Sequence, residues 1–244
     1  MSEQANDGTP NPQSPTPNPR LADLRARMLA CRRCLEAGYT ITPPAVASGP
    51  ATAQVMVIGQ APGITEQETG RPMNAGSGRR LFTWLGEAGW DEDDFRARHY
   101  MTAVTRCYPG RHDAGRGDRV PTREEQALCR PFLEEEITLV NPRLIIPVGG
   151  LAIKLFYPSR TRLKDVVGTV AYFPPSALAD PVNFNLDDAV QLEAFDAERD
   201  PAGRWLVPLP HPSGASIWPN RPQNKALIAR AVEILAAIRQ ARDL

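Results

Sequence analysis

Gln54-Val55-Met56-Val57-Ile58-Gly59-Gln60-Ala61-Pro62-Gly63 is the stretch that decides the fold. Four consecutive apolar residues end abruptly in a Gly/Pro turn. A run that is apolar on both alternating faces reads as a strand covered from both sides, feeding a loop. The same grammar returns at Leu144-Ile145-Ile146-Pro147-Val148-Gly149, followed by Gly150 and a helix through Phe156. Strands are also expected at 99–104 and 205–209. Between and around them the pattern is helical: residues 21–31 (Leu21, Leu24, Met28), 77–88 (Leu81, Phe82, Leu85), 122–140 and 224–242 (Leu227, Ile228, Ala231, Ile234, Leu235, Ile238). Thr122 with Glu125 forms a capping-box signature at the start of the third of these. Strand–helix alternation of this size predicts a single α/β/α domain around a central four-stranded, mostly parallel sheet. Ligands of such sheets sit at the carboxyl ends of the strands. Attention therefore falls on 59–63, 106–121, 149–150 and 210–216.

The remaining sequence bounds the class. With 244 residues and 42% hydrophobic content, the chain can build one sizeable core. Residues 1–20 are rich in Pro, Asn, Ser and Thr, which predicts a disordered tail before a domain at 21–244. The stretch 173–204 gathers seven acidic residues and reads as an acidic surface insertion. No apolar run approaches the ~18 residues of a spanning helix. The start of the chain has neither a basic nor an apolar segment, so a cytoplasmic protein is expected. Lys+Arg and Asp+Glu are both 28, for a net charge of +0. That excludes a bulk polyanion binder but not a local basic groove.

Four cysteines stand out: Cys31 and Cys34 in a CxxC, Cys107 after the second strand, and Cys129 in the following helix. Thiolates two residues apart can face one metal centre. A disulfide is disfavoured in a chain without a secretion signal. Four cysteines with only one CxxC knuckle suit iron–sulfur or zinc about equally on spacing alone.

Several motifs together resemble the uracil-DNA glycosylase superfamily, in particular its iron–sulfur families 4 and 5. They are Gly59-Gln60-Ala61-Pro62-Gly63 with Gly70-Arg71-Pro72-Met73 and Ser77-Gly78, then Ala103-Val104-Thr105-Arg106-Cys107, then Pro210-His211-Pro212-Ser213-Gly214. The resemblance runs from about Cys31 to the final helix and implies a [4Fe-4S] cluster on Cys31, Cys34, Cys107 and Cys129. It implies excision of uracil from DNA, with the base flipped into a pocket. His211 takes the role of donor to the departing base; its alternative is a structural loop residue. Gln60 stands where family 4 has glutamate and family 1 glutamine; it can orient a water but cannot take its proton. Gly59, Ala61, Pro62, Met73, Asn74 and Ala103 fall at the base pocket. Met73 replaces a stacking phenylalanine of family 4. Ala103 replaces a base-reading asparagine of family 4 but matches family 5, and Asn74 is offered as a substitute reader. These departures leave open two other readings, a glycosylase for another deaminated base such as hypoxanthine and a non-catalytic lesion binder. No Asp or Asn stands at Ala61 to activate water. Glu66 reads as a solvated loop residue more readily than as a distant acid.

DNA contacts are expected from the helix start at Gly76, Ser77 and Gly78, from Ser213 and Ser216, and from Arg111. Ile217 and Trp218 read either as a wedge into the base stack or, for Trp218, as a core cover. Arg106, Arg111, Arg116, Arg119 and Arg123 crowd the loop between two cysteines and read as phosphate contacts or as a solvated face. The chain has only three lysines, Lys154, Lys164 and Lys225, none in a motif. Strand cleavage through a Schiff base needs an active-site lysine, so a monofunctional enzyme is expected, acting as a monomer.

Overall fold

The computed structural model describes residues 18–112, 117–213 and 217–244. Most of the expected tail, together with Arg116, Gly214 and Ser216, lies outside them. Among the described residues the sheet has six strands: β1 (Val55–Gly59), β2 (Tyr100–Ala103), β3 (Leu144–Pro147), β4 (Val170–Phe173), β5 (Val190–Leu192) and β6 (Arg204–Leu206), in the order β2-β1-β3-β6-β4-β5. Strand β1 runs parallel to β2 (Met56↔Tyr100) and to β3 (Val55↔Leu144), and β3 runs parallel to β6 (Leu144↔Trp205). Strands β4 and β5 are antiparallel additions at the far edge. The expected count of four is thus corrected to six. Of the extra strands, β4 is a fully buried apolar run just before the acidic stretch, and β5 lies within that stretch and is largely exposed, so it shows no apolar face.

The strand alternation divides the core. Val55 and Val57 face one layer, against Leu81 and Leu85 of α4 (Gly76–Glu87) and Leu235 and Ile238 of α9 (Pro222–Arg242). Met56 and Ile58 face the other, with Leu24 of α1 (Pro19–Ala30) and Leu133 and Ile137 of α6 (Arg123–Val140). Each layer supplies an apolar stripe to one face of a period-two strand, so β1 must be apolar throughout. The stretch 173–204 does more than project acids: Val182, Phe184 and Leu186 pack on the second layer, and the Phe184 ring meets Phe156 edge-on at 4.8 Å.

Helix α6 begins as its sequence dictates. Thr122 Oγ1 accepts from the Glu125 N–H (3.2 Å), and the Glu125 carboxylate accepts from the Thr122 N–H (2.7 Å). Five short helices were not foreseen or are shorter than expected: α2 (Arg33–Glu36), α3 (Ile64–Thr69), α5 (Glu92–Arg98), α7 (Gly150–Ile153) and α8 (Leu163–Val166). Among the described residues no helix is long and apolar enough to cross a membrane.

His99, expected in a strand, instead ends α5. It is 2% exposed, and neither ring nitrogen has a hydrogen-bond partner among the described residues. Its ring lies edge-on to Phe95 at 4.7 Å. Burial, aided by the Arg98 charge, drops its pKa to about 4. The folded pKa is thus below the unfolded value of ~6.5. The unfolded chain binds the proton first, so stability is complete above pH ~6.5 and is lost as pH falls toward 4. Urea titrations across that window should show a loss on the order of 3 kcal/mol that His99→Leu removes from the pH slope.

Candidate active site and cysteine centre

Strands β1, β3 and β6 deliver their following loops to one end of the sheet, where a cavity of about 470 Å³ opens between Gln60, Glu66, Ser77, Asp118 and His211. A smaller recess adjoins it, walled by Pro72, Met73, Thr102 and Ala103; the two share Ala61, Pro62 and Glu66. The sequence-derived catalytic pair, Gln60 and His211, therefore faces one cavity, and Met73 and Ala103 line its side recess.

His211 is set by its neighbours. Its Nδ1 accepts the Ser213 backbone N–H at 3.2 Å, so in the neutral ring the proton resides on Nε2. Burial lowers its pKa, which favours that neutral donor form. Gly149 has φ +87°, and a Cβ there would stand 3.1 Å from His211 Cδ2; glycine satisfies both the backbone and the ring.

Met73 is held in the left-handed region at φ 51°. Arg96 restrains it, donating to the carbonyls of Pro72 (2.7 Å) and Met73 (2.6 Å). Gly59 leaves room for its thioether, since a Cβ there would sit 2.7 Å from Met73 Cε. Gly78 serves the same segment: its Cβ would overlap the Met73 carbonyl at 1.9 Å. Of the expected DNA-contacting helix start, Gly78 is thus committed to packing, while Gly76 is exposed and Ser77 lines the cavity. Asn74 lines neither recess. Its side chain donates to the Thr65 carbonyl (3.2 Å) and Thr69 Oγ1 (2.5 Å), fastening this segment to α3, which removes it as a base reader.

Glu66 corrects the sequence reading most sharply. Far from solvated, it is 7% exposed and belongs to both recesses. The Gly63 N–H donates to Oε2 at 2.5 Å, and the N–H groups of Met73 and Asn74 also favour its charge. Burial outweighs them and raises its pKa. The signal was present as an N-cap/N3 spacing, Gly63 to Glu66, at the start of the unforeseen α3. Asp118 was also missed. It enters the cavity from a hairpin closed by an Arg111–Asp118 bridge and an Arg119 N–H to Gly110 carbonyl bond (2.9 Å).

The four cysteines are free, half-buried, and line a common cavity beside Arg106. Cys31 ends α1, Cys34 lies on α2, Cys107 follows β2 and Cys129 lies on α6. Burial and then the neighbouring Cys129 sulfur push the Cys34 and Cys107 thiols up, to about 11 and about 12. As they stand, no group of three or more His, Cys, Asp or Glu side chains among the described residues could hold a single metal ion. The donor set still suits a thiolate-bound group: four sulfurs at one site, with an Arg106 N–H 3.4 Å from Cys129 Sγ.

The arginine loop divides. Arg106 is 1% exposed and ion-pairs with Glu136, whose carboxylate also accepts from Tyr100 (3.1 Å) and Thr102 (3.0 Å). Arg119 binds the Glu125 carboxylate at 2.6 and 2.7 Å and the Thr40 carbonyl at 2.8 Å. Arg106 is thereby withdrawn from phosphate contact, and Arg119, though partly exposed, is committed to Glu125. Arg111 and Arg123 are exposed. Ile217 is 68% exposed, whereas Trp218 packs against the core; only the first of the pair projects.

The model of the uracil DNA glycosylase superfamily matches residues 46–236. The type-4 uracil-DNA glycosylase of Pyrobaculum aerophilum is 33% identical over 116 residues, 48% of this chain and 54% of its own length. That of Sulfurisphaera tokodaii is 23% identical over 180 residues, covering 66% and 77%. The type-5 enzyme of Thermus thermophilus is 29% identical over 147 residues, covering 56% and 64%. The chain spans about half the length of the first of these relatives. With the family's model covering the sheet, both recesses and His211, the chain belongs to the uracil DNA glycosylase superfamily.

Proposed function

We propose that the protein is a monofunctional uracil-DNA glycosylase of the iron–sulfur branch. The observation that carries the reading is His211: a neutral, anchored imidazole with its proton on Nε2, at a cavity whose side recess is sized by Met73 and Ala103. A base in a duplex is out of reach and must be flipped out. Exposed Ile217 would fill the gap it leaves. As the glycosidic bond breaks, negative charge moves onto the base. An N–H aimed at its carbonyl oxygen stabilises that charge without proton transfer. The Met73 thioether packs against the ring. Gln60 orients the attacking water. None of Lys154, Lys164 and Lys225 lines either recess, which fits hydrolysis without strand cleavage.

Cys31, Cys34, Cys107 and Cys129 would hold the [4Fe-4S] cluster. When bound, it supplies a covalent tie among α1, α2, the start of the hairpin and α6. Anaerobically purified protein should absorb broadly near roughly 400 nm, and serine at any of the four positions should abolish that band. Zinc without iron by metal analysis would overturn the assignment.

Ala103 presents no side-chain amide to the base edge, so base choice is tested by a panel. Oligonucleotides carrying uracil or hypoxanthine, single-stranded and duplex, should show release of uracil. His211→Ala should slow it by roughly 100- to 1,000-fold. Binding without release would instead indicate a lesion-binding protein, and preferential release of hypoxanthine a different glycosylase.

A further inference from the structure

Accepting that glycosylase reading of the site, one chemical role is unfilled. Hydrolysis adds water across the bond between base and sugar, and something must receive the water's proton. Gln60 has no basic group. The basic nitrogen of His211 is occupied by the Ser213 N–H. Glu66 is buried and its oxygens are turned to the backbone N–H groups that join α3 to the Met73 segment. Its place is to position the two loops that form the pocket.

Asp118 differs in carrying a basic carboxylate that is not buried. It is exposed at the mouth of the same cavity. The Tyr108 hydroxyl donates to its Oδ1 at 3.0 Å and tethers that oxygen. Its Oδ2 lies over Gly63: a Cβ on that glycine would stand 3.3 Å from Asp118 Oδ2 and 3.5 Å from Glu66 Oε2. The hairpin that carries it is pinned at its base by Arg119 on Glu125 and by the Thr42–Tyr108 bridge.

We infer that Asp118 is the general base of the reaction, delivered to the cavity by the hairpin between Cys107 and Cys129. The water oxygen bonds to the sugar C1′, and the C1′–N bond breaks with its electron pair passing to the base. The base anion is held by His211 Nε2–H, and the water proton passes to Asp118 Oδ2. Among the described residues, the groups facing Asp118 are Glu66 from α3, His211 from the loop after β6, and Tyr108 and Arg111 from its own hairpin.

Single-turnover excision of uracil is measured on the intact chain at one fixed pH, with and without added formate. Asp118→Asn should be slower by on the order of 100-fold, and formate, a small external base, should restore part of that loss. A wild-type rate in Asp118→Asn, or a slow variant that formate leaves unchanged, would overturn the assignment. A wild-type protein that releases no base would overturn the glycosylase reading itself, an outcome visible before any variant is compared.

Discussion

The ion pair between Arg106 and Glu136 joins the parts of this molecule that act together. Both side chains are almost wholly removed from solvent. Such a pair is tolerated only when its remaining polar atoms are satisfied. Tyr100 and Thr102 of β2 complete the Glu136 shell, and Arg106 reaches the carbonyl and sulfur of Cys129. Removing one partner of such a pair typically costs about 3–5 kcal/mol, because the other charge is stranded. The pair therefore fixes three things at once: the register of α6 on β2, the placement of Cys129, and the orientation of Thr102, which walls the side recess. The cysteine centre and the pocket are two ends of one buried polar network.

The rest of the site follows from where the parallel strands end. Strands β1, β3 and β6 release their loops on one side, and each loop is held by a close backbone approach that glycine permits. Gly59 and Gly78 admit the Met73 segment, and Gly149 admits the His211 ring. Arg96 and Glu66 then secure that segment, one through carbonyls and the other through N–H groups. The pocket is built mainly from backbone held by buried charge.

This explains what could be read from the chain and what could not. Strand β1 was legible because burial on both faces forces an unbroken apolar run. The start of α6 was legible because Thr122 and Glu125 interact within one turn. The cysteines converge where their strand-end and helix positions implied. Strand β4 was passed over although Val170-Ala171-Tyr172-Phe173 is an apolar run bounded by Gly168 and Pro174, and β5 escaped because it is largely exposed within an acidic stretch. The roles of Arg106 and Arg119 escaped because a charge run looks the same whether it meets solvent or a buried carboxylate. The decisive partner of Arg106 lies 30 positions away. Glu66 and Asp118 escaped for a related reason: each becomes a pocket residue only after a short helix or a hairpin turns it inward.

The central claim is that this pocket directs water, and no residue of the protein, at the sugar carbon. The direct measurement is excision of uracil from an oligonucleotide in heavy-oxygen water, with mass analysis of both products. The account predicts unlabelled free uracil, heavy oxygen on C1′ of the abasic sugar, and an intact strand. Label in the released base, a protein–DNA adduct, or a nicked strand would contradict it.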